Sequence, residues 1–320
     1  MSASTAAAQQ VSAGSGEHPV LGEVEALAAR IARVRAAIAR VIFGQQEVVD
    51  QTLITLLSGG HVLLVGVPGL GKSRLVETLG TVLGLGTKRV QFTPDLMPAD
   101  ITGGEVLDEA EGRRSFRFVA GPVFCQLLMA DEINRASPRT QSALLQAMQE
   151  HRVAVGGHEH RLPTPFHVLA TQNPIEQEGT YPLPEAQLDR FLLEVDVGYP
   201  DLQSERTMLL ATTGAAEAVP EQAMTSQDLL GAQALIRRVP VSETVLNAIL
   251  ALVRGGRPET AGDDTVRRHV AWGPGPRAAQ ALMLACRARA LLDGRLAPSV
   301  DDIAALARPV LRHRMALSFA

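Results

Sequence analysis

The run Gly66-Val67-Pro68-Gly69-Leu70-Gly71-Lys72-Ser73 restricts this chain more than any other stretch, because of what stands on either side of it. Before it lies Val62–Val65, a short unbroken apolar run bounded by glycines, which is the pattern of a strand buried on both faces. After it, Lys72–Leu83 has helical spacing. A glycine-rich turn between a buried strand and a helix, spelled G-x-x-x-x-G-K-[ST], can curl its N–H groups around an anion. The helix adds the positive end of its dipole at the same point. This predicts Lys72 on the β- and γ-phosphates of a nucleotide and the Ser73 hydroxyl on Mg²⁺. Gly66, Val67, Pro68, Gly69, Leu70, Gly71 and Arg74 would complete the binding contacts. A chance glycine turn is the competing reading, and the strand before and helix after weigh against it. Lys72 and Lys88 are the only lysines among 30 basic residues. A compact ammonium suits such a cradle where a planar guanidinium does not.

Further short apolar runs recur at Arg89–Phe92, Gln126–Ala130, His167–Thr171 and Leu193–Val197, with a second helical stretch at Pro138–Gln149. Strands alternating with helices predict an α/β core with a parallel five-stranded sheet and right-handed crossovers. Two segments break the alternation and read as inserted β-hairpins. One begins at Ser115–Val119 and ends near Gly121-Pro122; the other is Val153–Leu162, turning at Gly156-Gly157. Upstream, Val24, Leu27, Ile31, Val34, Ile38 and Val41 recur at three-four spacing, an amphipathic helix stopped by Gly44, and Gln46–Leu57 forms another. The arginine-rich outer face of the Val24–Val41 helix would suit a membrane surface, but packing on the core is the default. After Tyr199-Pro200 only helical periodicity remains, at Ser226–Arg237, Ser242–Val253, Pro276–Leu292 and Val300–Met315. The chain thus divides into a disordered tail at 1–20, an α/β core at 21–200 and an all-helical domain at 201–320.

Hydrophobic residues make up 46% of the chain and aromatics only 3%, so the core must be aliphatic. Net charge is −4 and the sequence pI about 6.1. That balance lacks the basic excess of a dedicated nucleic-acid binder, so no nucleic acid is expected as partner. Cys125 and Cys286 sit in apolar runs and read as core residues of a reducing compartment. No apolar run approaches the ~18–20 residues of a membrane span. The first residues are small and polar, without the pattern of a secretory signal. A cytoplasmic location is expected.

Leu127-Leu128-Met129-Ala130-Asp131-Glu132 is an apolar strand ending in two carboxylates, about 60 residues beyond the phosphate loop. At that spacing Asp131 would hold Mg²⁺ and Glu132 would polarise the attacking water. His158-Glu159-His160 invites a metal reading, since residues two apart share a strand face. No third ligand is evident, and a solvated hairpin tip is the plainer account.

In chain order the phosphate loop and Asp131-Glu132 are followed by Thr171-Gln172-Asn173-Pro174, Leu188-Asp189-Arg190-Phe191 and Gly275-Pro276-Arg277. This order resembles the AAA+ ATPases. The resemblance implies that Asn173 is the sensor 1 residue orienting the lytic water. It implies that Arg190 is the arginine finger offered to a neighbour's nucleotide, and Arg277 the sensor 2 residue on the γ-phosphate. Asn173 could instead cap a loop before Pro174, and Arg190 could be a surface partner of Asp189. Arg135 and Arg139 fit either a neighbour contact or surface ion pairs.

Longer motifs resemble the MoxR family within that group. They are Val41-Ile42-Phe43-Gly44-Gln45, the stretch from Gln91 to Gly103, Asp131-Glu132-Ile133-Asn134-Arg135-Ala136, Ala170 to Glu176, and Pro184 to Phe191. The segment Gly273-Pro274-Gly275-Pro276-Arg277 is richer in proline than that pattern. The resemblance implies a P-loop AAA+ core with inserted hairpins and a helical lid. It also implies ATP and Mg²⁺ as ligands, a ring of like subunits (a hexamer), and a partner carrying a von Willebrand factor A domain. The work would be remodelling or activation of a client protein. Two other functions share these motifs: a nucleic-acid motor, and a nucleotide-gated scaffold without turnover. Intact Glu132, Asn173 and Arg190 weigh against the scaffold.

Overall fold

The computed structural model describes residues 18–110, 113–175, 179–214 and 218–318. Most of the expected tail lies outside them, and helix α1, His18–Ala39, already begins inside the segment assigned to it. Helix α2 (Gln46–Leu57) leads into strand β1 (Val62–Val65), helix α3 (Lys72–Leu83) and strand β2 (Thr87–Gln91). A short helix α4 (Pro98–Thr102) introduces a hairpin of β3 (Gly103–Ala110) and β4 (Arg113–Ala120). Strand β5 (Leu127–Asp131), helix α5 (Pro138–Glu150), the hairpin β6 (Arg152–Val155) and β7 (His158–Arg161), strand β8 (His167–Gln172), helix α6 (Glu185–Leu188) and strand β9 (Leu193–Asp196) complete the core.

The five-stranded sheet runs β2-β5-β8-β1-β9 with every pairing parallel, as expected. Its two faces are separately filled. Val62, Leu64, Leu127, Met129 and Leu169 point into one apolar cluster, and Leu63, Leu128, Ala130, Val168 and Ala170 into the other. Side chains alternate along a strand, so burial on both sides demands the unbroken aliphatic runs that the sequence displays. The first hairpin differs from its expected form. Ser115–Val119 is the return strand, pairing along its length with Gly103–Ala110. That outgoing strand reads Gly-Gly-Glu-Val-Leu-Asp-Glu-Ala and carries too few apolar residues to signal itself.

Helices α7 (Leu202–Thr212), α8 (Ser226–Arg238), α9 (Glu243–Gly255), α10 (Asp264–His269), α11 (Pro276–Leu292) and α12 (Val300–Leu311) build the second part. Asp201, Thr225, Ser242 and Asp263 cap four of them by accepting from an amide of the first turn. This part is not wholly helical. Strand β10 (Val270–Trp272) pairs antiparallel with β11 (Ala316–Leu317). Nor does it have a core of its own. Leu229, Ile249, Leu282 and Leu306 join the same apolar cluster as Ile31, Leu53 and Val62. The boundary near Asp201 is therefore a change in pattern along the chain, while the packing across it is continuous.

Candidate functional site

At the carboxyl end of β1 the chain turns sharply. Gly66 is buried against β9, where a Cβ would come within 2.4 Å of the Val197 carbonyl oxygen, so only glycine lets the loop leave the sheet here. Gly71 caps α3 in the left-handed region, at φ 75°. Lys72 folds back over the loop, its ammonium donating to the Gly66 carbonyl and, at 3.3 Å, to that of Val67. Burial lowers the Lys72 pKa, and the nearby Asp131 and Glu132 carboxylates oppose that shift. Ser73 stands half-buried in the first turn of α3.

Asp131 ends β5, and Glu132 takes a left-handed conformation at φ 53° that is uncommon for a residue with a side chain. Consecutive strand side chains point to opposite faces. The turn at Glu132 breaks that rule, and both carboxylates meet donors from the edge strand β2. Arg89 reaches Asp131 at 2.5 Å, and the Gln91 amide donates to Glu132 at 2.7 Å. Arg135 donates to the same Glu132 oxygen at 3.1 Å, which makes it an ion-pair partner within the chain. Thr171, fully buried on β8, ties the pair together. Its hydroxyl donates to Asp131 at 2.5 Å and accepts from the Glu132 N–H at 2.8 Å. In the sequence, Thr171 and Gln91 stand in motifs and Arg89 in a strand run, but nothing there gives any of the three a role at the carboxylates. The signal available was that 89 and 91 share a face at the end of a strand. Thr171→Val is expected to keep the fold and to lower turnover by about 10–100-fold, with nucleotide affinity changed only a few-fold. Steady-state phosphate release beside a binding titration checks this, and unchanged turnover would remove Thr171 from the site.

Next to the loop opens a cavity of about 410 Å³. Val41, Ile42 and Phe43 line one side, Gly69, Leu70 and Gly71 another, and Tyr199, Pro200 and Met208 the third. Gln45 closes it onto the loop by donating to the Leu70 carbonyl at 3.0 Å. Its size and apolar walls suit a planar base. The loop amides suit phosphates, and Ser73 with Asp131 offers the hard oxygen ligands that Mg²⁺ takes. The residues present therefore fit both groups.

Arg190 and Arg277 lie elsewhere. They face one pocket with Gly59, Gly60 and His61, the residues that precede β1, whereas the phosphate loop follows it. The two sites thus sit at opposite ends of a strand roughly 13 Å long. Arg190 is not the partner of Asp189. That carboxylate is taken by Arg314 at 2.8 Å and approached by Arg277 at 3.7 Å. The Arg190 Nε is buried without an acceptor among the described residues. Burial, and then the neighbouring Arg277, lowers its pKa.

Three imidazoles underlie this region. Burial holds His61 at about 3, His167 at about 4 and His313 at about 3. Their folded values lie below the unfolded value of ~6.5, so the folded state binds fewer protons than the unfolded one in between. Stability is full above that value and falls as pH drops through the window. Each imidazole is expected to cost on the order of 2 kcal/mol by pH 4.5. Urea midpoints from pH 7.5 to 4.5 measure this, and a flat profile would contradict it.

The remaining residues have plainer surroundings. Asn173 is buried at the end of β8, where its side-chain oxygen accepts from the Ile175 N–H at 3.2 Å, the local cap that its sequence context also allowed. Glu176, the last residue of its motif, is outside the described residues. Arg139 is exposed in the first turn of α5. His160 stacks on Phe118 at 3.7 Å and Glu159 pairs with Arg152 at 2.9 Å. No group of three or more metal-ligating side chains occurs among the described residues. Both cysteines are buried, their thiols pushed up to about 11 and about 12 by burial.

A glycine loop on β1, an acidic pair on β5 and a buried polar residue on β8, side by side at the carboxyl ends of a parallel sheet, define a P-loop nucleotide hydrolase. Residues 61–193 match the model of the ATPase family associated with various cellular activities (AAA), and residues 263–320 match the AAA lid domain. The chaperone MoxR1 of Mycobacterium tuberculosis is 43% identical over 93% of this chain and 79% of its own. Protein MoxR of Paracoccus denitrificans is 33% identical over 91% and 89%. A crystal structure from Cytophaga hutchinsonii superimposes with a TM-score of 0.88 at 36% identity, covering 96% of this chain and 93% of the other. The chain belongs to the MoxR family of AAA+ ATPases.

Proposed function

We propose that this ATPase works as a head-to-tail ring, a hexamer, in which Arg190 and Arg277 of one subunit complete the nucleotide site of the next. The observation that carries this reading is the separation of the two arginines from the phosphate loop of their own chain, at the other end of β1. Hydrolysis of a phosphoanhydride builds negative charge on the phosphoryl group, and guanidinium groups stabilise it. The continuous core between the two parts of the chain keeps these arginines away from their own site.

Within one subunit the loop amides and Lys72 grip the phosphates, while the cavity beside Val41–Phe43 receives the base. Ser73 and Asp131 would hold Mg²⁺, which neutralises phosphate charge. Glu132 accepts the proton of the attacking water, and Asn173 orients that water. Arg89 and Gln91 restrain the two carboxylates from β2. Release of these restraints is a local step that nucleotide binding would drive.

The name of the Mycobacterium tuberculosis relative supports a chaperone-like role, in which ring motions would remodel or activate a client protein. We extend this to a partner carrying a von Willebrand factor A domain and to a cytoplasmic setting, where ATP is abundant. No helix among the described residues is long and apolar enough to cross a membrane. Phosphate release measured against protein concentration tests the shared site. Specific activity should rise with concentration as subunits associate. Activity independent of concentration, with subunits sedimenting as monomers, would refute it.

A further inference from the structure

The cavity beside the phosphate loop has apolar walls with a few charged and polar side chains set into them. Most of these are already engaged. Arg40 pairs with Glu221 at 3.6 Å, the Gln45 amide donates to the Leu70 carbonyl, and Arg74 also has a partner. The Thr212 hydroxyl donates to the Met208 carbonyl of its own helix at 2.8 Å. Glu205 is different. It stands half-buried on α7 and lines the same cavity, yet its carboxylate has no hydrogen bond or ion pair among the described residues. The helix dipole favours an acid in the first turn of α7. That does not account for a carboxylate on a cavity wall. An ionised carboxylate can only accept. Half-buried without a donor, it costs free energy until a ligand supplies one.

We infer that Glu205 reads the base: its carboxylate accepts a hydrogen bond from the 6-amino group of adenine, so α7 selects nucleotides that carry an amino group there. The inference rests on the reading of this cavity as the base site and names the residue that sets its specificity. Glu205 precedes Met208 by three residues, so the two share one stripe of α7. Met208 belongs to the apolar wall that suits a planar base. The carboxylate therefore stands beside the base rather than at the phosphates. The ring nitrogens of adenine accept, and its amino group is the donor it offers. Apolar walls give such a pocket affinity, and a few placed polar groups give it selectivity. A site built to bond a substrate N–H rejects an analogue that lacks it, because its own polar group is then left unpaired. A 6-oxo base would bring a carbonyl oxygen to the same point, acceptor against acceptor.

Competition against a fluorescent ATP analogue on the full chain tests this, without Mg²⁺ so that nothing is hydrolysed. The competitors are ATP, purine riboside triphosphate (ATP without the amino group) and inorganic triphosphate. The wild type should bind ATP at least ~10-fold more tightly than the purine riboside. Glu205→Ala should lose that factor for ATP alone, so that the two nucleotides bind alike. Glu205→Gln, whose amide oxygen still accepts, should keep most of it. Both variants should melt with the wild type. If the wild type binds the two nucleotides alike, or Glu205→Ala keeps the preference, Glu205 does not read the base. The inference then fails while the cavity remains the base site. Equal loss of both nucleotides with triphosphate unchanged would put Glu205 on the sugar and overturn the inference. Equal loss of all three with early melting would make Glu205 a support of α7, and the inference again fails. Triphosphate binding as tightly as ATP to the wild type would mean that no base enters the cavity, and the reading of the cavity falls with the inference.

Discussion

Replacing Arg190 with alanine is expected to lower ATP hydrolysis by about 10³–10⁵-fold while each subunit still binds nucleotide. Arg190 shares a pocket with Arg277 away from the phosphate loop, and its Nε has no acceptor in its own chain among the described residues. A buried N–H without an acceptor costs free energy unless something supplies one. A neighbour's nucleotide would do so, and only in the assembled state. Mixing makes the test sharper. Lys72→Ala subunits lose their own site but keep their arginines, and Arg190→Ala subunits have the reverse defect. Each alone should be inactive, and a mixture should regain a fraction of wild-type turnover. Wild-type turnover by Arg190→Ala alone would show that the residue is structural and would remove the shared site. Equal melting temperatures separate loss of chemistry from loss of fold.

Arg314→Ala is expected to destabilise the protein by about 3–5 kcal/mol, a loss of roughly 10 °C in melting temperature. Arg314 is 2% exposed. Its guanidinium pairs with Asp189 at 2.8 Å and donates to the carbonyls of Phe191 at 2.6 Å, Leu192 at 3.1 Å and Val310. It thus fastens the end of α12 to the entry of β9. Removing it strips four carbonyls of a donor, that of Asp189 included, and leaves the Asp189 carboxylate only the more distant Arg277. Lysine would not rescue the fold, because a single ammonium cannot reproduce the planar fork. Thermal and urea unfolding of both variants measure this. A loss below 1 kcal/mol for Arg314→Ala would mean that the network contributes little. Since Asp189 is bonded to Arg314 and adjoins Arg190, a milder substitution should also shift the protein concentration at which activity appears.

Much of this protein can be read without coordinates. Gly66 to Ser73 between a buried strand and a helix specifies a turn that can cradle an anion, because that backbone path, the αL turn at Gly71 and the helix dipole are all local. Unbroken aliphatic strands specify a parallel sheet covered on both faces. Asp131 and Glu132 were legible because they end such a strand at the expected distance from the loop. The hairpin strand Gly103–Ala110 was not, since an exposed two-stranded ladder imposes no apolar period. The donors Arg89, Gln91 and Thr171 were equally silent, because their roles come from strands β2, β5 and β8 lying side by side.

By itself, then, the sequence determined everything set by neighbours along the chain: the loop, the acidic pair, the strand and helix periods, and the family motifs. Tertiary structure alone decided where Arg190 and Arg277 stand, that Asp189 belongs to Arg314, and that the helical part shares its core with the sheet. The physical reason is range. Hydrogen-bond geometry and side-chain period act over a few residues, whereas Asp189 and Arg314 are 125 residues apart and meet only when α12 packs against β9.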